Sequence, residues 1–173
     1  AACEALRAKG DEVDALNLYD EEFRAVMSRT ERLEYHDVPG NLTPEVKPYV
    51  DRLRACDKIV FVHPVWNYGY PAILKGFFDR VFLPGVSFNI VDGKVRPCLH
   101  NIRKLAAVTT YGGTRMRAFL VGDPPRKLVT RVLRVQIKPG APLHYLAHYD
   151  MNRCTPETRA AFMAKVGQVM DRF

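Results

Sequence analysis

Residues Ile59 to Phe82, IVFVHPVWNYGYPAILKGFFDRVF, constrain the fold of this chain more than any other stretch. Ile59 to Val62 are consecutively apolar, the pattern of a strand buried on both faces in a parallel sheet. His63 to Tyr70 follow as a loop rich in flat side chains, Trp66, Tyr68 and Tyr70, with Pro64 and Gly69 as breakers. Pro71 then opens a helix, where its missing N–H costs nothing. Ile73, Phe77 and Val81 form one apolar row at i, i+4 and i+8, and Leu74, Phe78 and Phe82 form a second. Two rows exceed what one side of a helix needs to cover a sheet. The helix is therefore expected to bury one face against its own sheet and the other against a further neighbour. The aromatic loop falls at the carboxyl end of the strand, where open α/β sheets bind ligands.

The rest of the chain alternates in the same way. Ala1 to Lys9 reads as a helix capped by Gly10, and Val13 to Tyr19 as a strand. Asp20 to Arg29 reads as a short polar helix or loop, and Thr30 to Gly40 as an irregular surface segment. Thr43-Pro44-Glu45 starts a helix with Val46, Val50 and Leu53 inward. Val86 to Val95 reads as a hairpin around Asp92-Gly93. Lys104 to Thr110 is a third buried strand, ending in Tyr111-Gly112-Gly113. Asp123-Pro124-Pro125 starts a helix with Leu128, Val129, Val132 and Leu133 inward, Leu143 to Tyr149 is a fourth strand, and Thr155-Pro156-Glu157 starts the last helix. Alternation of this kind predicts an α/β fold, a parallel sheet with helices on both faces. No repeat, low-complexity tract or linker divides the 173 residues, so 1–173 is expected to be a single domain. The chain carries no initiator Met and opens inside a helix, so further residues are expected upstream of Ala1.

Charge narrows the partners. The formal net charge is +7, from 26 basic and 19 acidic residues, a balance that suits nucleic acid, a membrane surface or a phosphorylated ligand. The Lys and Arg are scattered, so no nucleic-acid partner is expected. No apolar run reaches the roughly 18 to 20 residues of a membrane span, so no membrane insertion is expected. The opening AACEALRAKG is helical and charged rather than a signal peptide, and the expected location is cytoplasmic. Cys3, Cys56, Cys98 and Cys154 lack CxxC spacing and are expected as isolated reduced thiols, with no metal site.

Neither GxGxxG nor GxxxxGK followed by Ser or Thr occurs, so no dinucleotide turn or P-loop is supported. Two loops remain as candidates. Pro64, Val65, Trp66, Asn67 and Tyr68 offer a flat apolar surface with backbone N–H groups. Thr109, Thr110, Tyr111, Gly112 and Gly113 offer hydroxyls, an aromatic plane and two glycines that let backbone come close to a ligand. Together they suit a planar ring with polar edges. On the residues alone, Trp66 and Tyr68 serve equally well as aromatics capping the core.

The stretch HPVWNYGYPAILKGFFDRVFLPGVSF resembles the signature of the NAD(P)H:quinone oxidoreductase family, dimeric flavoproteins with a flavodoxin-like fold. Pro71, Ala72, Leu74, Lys75, Gly76, Asp79, Arg80, Val81, Phe82 and Gly85 carry the resemblance. Thr109 to Gly113 resembles the family's second flavin loop, T-T-G-G, with a Tyr inserted.

That resemblance implies a three-layer α/β/α sandwich binding a flavin, FMN or FAD. Pro64 to Tyr68 would lie along the edge of the ring, and Thr109 to Gly113 would close over its pyrimidine end. The N–H groups of Gly112 and Gly113 would stabilise the reduced ring's negative charge. NAD(P)H would be the co-substrate and a quinone-like molecule the acceptor, with Tyr111 or Tyr68 as the catalytic proton donor. Tyr35 and His36 would line the acceptor pocket, and His63 would be structural. Helix Pro71–Phe82 would lie at a homodimer interface. In the family a first strand and a phosphate-binding loop precede a helix like Ala1–Lys9. Both are missing from this sequence, so the phosphate-binding residues go unnamed. Two other readings are a non-enzymatic flavodoxin-like subunit regulating a membrane transporter, and a one-electron flavodoxin, a class that tends to be acidic.

Overall fold

In the computed structural model, which describes residues 1–173, the chain begins with α1 (Ala2–Ala8), α2 (Arg29–Leu33) and α3 (Lys47–Ala55). It continues through β1 (Lys58–Val65), α4 (Ala72–Val81), the hairpin β2 (Phe88–Val91) and β3 (Lys94–Pro97), and β4 (Lys104–Tyr111). The remainder is α5 (Arg115–Leu120), α6 (Pro124–Lys127), a π-helical turn (Leu128–Leu133), β5 (Leu143–His148) and α7 (Pro156–Asp171). The central sheet is parallel, in the order β1-β4-β5. Its register sets His63 opposite Thr109, Pro64 opposite Thr110 and Val65 opposite Tyr111.

Successive strand residues point to opposite faces, and the two faces carry separate cores. Phe61, Leu105 and Ala107 join Val50 and Leu53 of α3, Leu74 to Val81 of α4, and Val129 and Leu133 of the π-turn. Ala106, Val108 and Leu146 join Leu6 of α1 and Val166 and Met170 of α7. Helices thus cover both faces, as an α/β/α sandwich requires. The ends of α7 follow from its residues. Thr155 and Thr158 form a reciprocal cap with Pro156 inside the first turn, and Phe173 packs under the second core.

Helix α4 finds its second neighbour inside the chain. Phe78 meets Phe61 and Tyr70 on the sheet side, and Phe77 meets Phe23 and Tyr49 on the other. Gly76 lets the Phe23–Ala25 segment close in, since a β-carbon there would fall 2.1 Å from the Ala25 carbonyl oxygen. Both apolar rows are therefore covered. The face left to solvent carries Ala72, Lys75 and Asp79, with Lys75 paired to Asp79. The further neighbour that the apolar surplus called for is thus found within the chain.

Two expectations change. Val13–Tyr19 is not a strand: no backbone N–H from Val13 to Leu18 finds a backbone acceptor. A ladder needs an adjacent strand, and β1 is the sheet edge with none beside it. The segment is held by side chains instead, Leu16 and Leu18 on the core and Asp14 on Arg52. Val132, expected inward, is exposed, because the π-turn places Val129 and Leu133 on the core and turns Val132 out.

Candidate functional site

At the carboxyl edge of the sheet, β1 runs directly into a tight turn. Gly69 N–H donates to the Trp66 carbonyl across 2.8 Å, with Asn67 at φ 49° and Tyr68 at φ 53°. Two successive positive φ values define a type I′ turn, which favours Asn at its first central position and holds Tyr68 in a sparsely populated region. Such strain persists only where the surroundings enforce it. The turn leaves Trp66 58% exposed. It brings Tyr68 against the second loop, where a β-carbon on Gly113 would lie 3.2 Å from the Tyr68 hydroxyl oxygen. A β-carbon on Gly112 would lie 3.4 Å from Asn152 Oδ1. The backbone N–H groups of Asn67, Tyr68, Gly112 and Gly113 have no acceptor within the chain. The structure thus brings the two loops together as an exposed indole beside unpaired donors.

Pro64 and Val65 are the last residues of β1, half-buried, and Thr109 to Tyr111 end β4. Thr110 is half-buried, on the sheet face opposite Thr109 and Tyr111. Thr109 is buried and its Oγ1 has no partner. Across the register, His63 is also buried. Its Nδ1 lies 3.0 Å from the Pro64 carbonyl and its ring stacks against Tyr70 at 4.7 Å. Donation from Nδ1 leaves the Nε2 lone pair facing inward without a partner. Burial pulls the His63 pKa below its ordinary 6.5, so the ring is neutral. It packs as a core residue.

Tyr111 corrects the expectation of a loop residue that donates a proton. It is buried, and its hydroxyl donates to Asp123 Oδ1 at 2.6 Å and accepts from the Tyr145 hydroxyl at 2.6 Å. Burial, then the Asp123 hydrogen bond, pushes its pKa well above the usual 10. A phenol so placed keeps its proton and anchors the loop. Arg126 completes the network: Nε donates to Asp123 Oδ2 at 2.9 Å and Nη2 to the Tyr149 hydroxyl at 2.8 Å. Its guanidinium lies 4.3 Å from the Tyr145 ring centre. Burial pushes the Tyr145 pKa up to about 12. Tyr35 and His36 are not brought to this edge. The Tyr35 carbonyl and Pro84 share the Asn41 amide at the far end of α4.

Asp123, Arg126, Tyr145 and Tyr149 are not legible as site residues in sequence, because Arg126 joins Asp123 at a helix start to Tyr149, 23 residues on and just past β5. The Asp123-Pro124-Pro125 cap was the only visible signal.

A family model described by its flavodoxin-like fold matches residues 1–134. NAD(P)H dehydrogenase (quinone) 1 of Rattus norvegicus is 31% identical over 133 residues, covering 67% of this chain and 48% of that protein. An FMN-dependent NADH:quinone oxidoreductase of Lachnoclostridium phytofermentans is 31% identical over 129 residues, covering 72% of this chain and 64% of that protein. The chain spans about half the length of the curated relatives it matches. The solved NAD(P)H:quinone oxidoreductase of Methanothermobacter marburgensis superposes with a TM-score of 0.82 at 22% identity, covering 98% of this chain and 84% of that one, a likeness of fold. On the sheet and these matches, the chain belongs to the family described by its flavodoxin-like fold, and is similar in sequence to NAD(P)H:quinone oxidoreductases.

Proposed function

We propose that this chain is a flavin-dependent oxidoreductase that passes electrons from NAD(P)H to a quinone-like acceptor. One observation carries the reading: an exposed Trp66 beside four unpaired backbone donors, on two loops that meet at the carboxyl edge of the sheet. These groups fit a flat heterocycle with carbonyl edges, and a bound flavin supplies the two-electron chemistry. Trp66, Pro64 and Val65 offer it an apolar wall. Asn67 and Tyr68 N–H groups donate to one polar edge, and Gly112 and Gly113 N–H groups to the edge that gains negative charge. Thr109 and Thr110 set that second loop on the strand end. The Tyr68 hydroxyl, half-buried beside Gly113 and without a partner in the chain, is the proposed proton donor to the acceptor. FMN is proposed over FAD because two of the similar proteins carry FMN in their names.

The proposal includes a single domain over 1–173, supported by one central sheet shared by both cores. No helix is long and apolar enough to cross a membrane, and a cytoplasmic location is proposed with the four free cysteines in support. Homodimerisation through helix Pro71–Phe82 is proposed on family likeness, by way of its exposed Ala72, Lys75 and Asp79 face. The test is to titrate FMN against the purified protein and follow NADPH and NADH oxidation with a quinone. Retention of FMN with quinone-dependent oxidation is expected. Failure to bind FMN or FAD, or bound flavin without turnover, sinks the enzyme reading, and the latter favours a regulatory subunit.

A further inference from the structure

A cleft of about 370 Å³ opens next to the Tyr111 network, within the range of small-ligand sites. Four cations line it, Arg115, Arg126, Lys127 and Arg131, against one carboxylate, Asp123. Each oxygen of that carboxylate already accepts a hydrogen bond from within the chain. Tyr111 occupies Oδ1 and Arg126 occupies Oδ2. Arg115, Lys127 and Arg131 have no carboxylate partner anywhere in the chain, and all three are exposed. Three like charges converging on one concavity raise its potential and draw an anion.

The other lining groups say which anion. Phe119 is 75% exposed at the rim, a free aromatic face for a base to stack on. The Tyr149 hydroxyl accepts from Arg126 and keeps its own proton to donate. In dinucleotide sites a carboxylate reads the ribose 2′-hydroxyl, whereas arginine accommodates a 2′-phosphate. Here the one carboxylate is engaged by Tyr111 and Arg126, and three cations without a carboxylate partner outnumber it. The cleft also shares Asp123 and Arg126 with the network that anchors Tyr111, at the end of β4 where the nicotinamide reaction is proposed.

We infer that this cleft binds the adenosine 2′-phosphate end of the co-substrate, making NADPH the preferred donor. The inference rests on the oxidoreductase reading and names its substrate. Lys127 and Arg131 receive the phosphate from α6 and the π-turn, Arg115 closes on it from α5, and Phe119 covers the adenine.

Calorimetric titration of the FMN-loaded protein with 2′,5′-ADP and with 5′-ADP tests it without turnover. The 2′,5′ compound is expected to bind about tenfold or more tightly, the gain of one or two charge-assisted contacts. The double variant Lys127→Ala/Arg131→Ala is expected to bind both compounds equally. Lys138→Ala, a cation outside the cleft, is expected to keep the preference. Both cleft side chains are exposed and unbonded, so a thermal melt should match the parent protein. Equal binding of the two compounds by the parent overturns the inference, as does an unchanged preference in the double variant. Inorganic phosphate displacing 2′,5′-ADP at equal concentration overturns it in favour of a free-phosphate site. Quinone-dependent oxidation that uses NADH and NADPH equally also overturns it while leaving the reductase reading intact. No oxidation of either nucleotide overturns that reading, and this inference with it.

Discussion

Trp66 and Gly112 carry the residue-scale argument for the site. Trp66→Ala removes the exposed indole, and Gly112→Val puts branched carbons where a β-carbon already lies 3.4 Å from Asn152. Each is expected to weaken FMN binding about tenfold, the worth of roughly one aromatic contact. A flavin fluorescence titration reads this, and unchanged affinity in both variants would move the site elsewhere. Arg80 is the structural counterpart. It is 2% exposed, bonds Glu31 at 2.6 Å and Glu45 at 3.0 Å, and reaches the Arg24 carbonyl. The family motif contains this Arg, and the structure gives it a task in packing α4 to the N-terminal segments. Arg80→Met leaves Glu31 buried without its charge partner and should cost about 3 to 5 kcal/mol in urea unfolding. A loss below about 1 kcal/mol would show that water replaces the partner.

Helices and strands differ in how far their residues announce them. β1, β4 and α4 were legible because each is an apolar run with a sharp stop. Of the two strands, only β4 is buried on both faces, and β1, at the sheet edge, leaves Val62 67% exposed. Val13–Tyr19 has the same composition as a strand and lacks the partner that makes one. Its amides are therefore expected to exchange with deuterium at rates near those of unstructured chain, while the amides of β4 are protected. Protection of 13–18 comparable to β4 would refute the structural account of that segment. Gly76 is an element-scale constraint of a different kind. Gly76→Ala drives a methyl into the Ala25 backbone, so α4 and its cover must separate. The expected loss is about 1 to 3 kcal/mol despite Ala's better helix propensity, and an equal or higher melting temperature would show that the close approach is not obligatory.

For the molecule as a whole, acid removes stability in two stages. His63 is neutral in the folded chain, with a pKa held below 6.5 by burial. Above 6.5 both folded and unfolded chains are uncharged there. Below it the unfolded chain takes up a proton that the fold resists, so stability falls as pH drops from about 6.5. Glu31 acts lower. Burial raises its pKa, but the Ser28 N–H and Arg80 outweigh that and hold it below the usual 4.5. Its contribution is complete above 4.5 and is lost as pH falls further. Melting temperatures of His63→Phe should lose the slope between pH 6.5 and 5 and keep the lower one. An unchanged upper slope would assign it to another group.

Composition and periodicity by themselves determined the α/β alternation, the covered parallel sheet and the two strand-end loops, because burial acts through patterns only a few residues long. Loop chemistry was half legible. Gly112 and Gly113 were readable as places of close approach, whereas Tyr111, counted with them, proved to be the end of β4 with its hydroxyl turned inward to Asp123 and Tyr145. Tertiary structure alone decided that α4 spends its second apolar row on Phe23 and Tyr49, that Arg126 joins Asp123 to Tyr149, and that three unpaired cations share one cleft. The physical reason is distance along the chain. A charge or a ring shows in sequence what it is, and which partner neutralises or covers it is settled only when segments tens of residues apart are folded into contact.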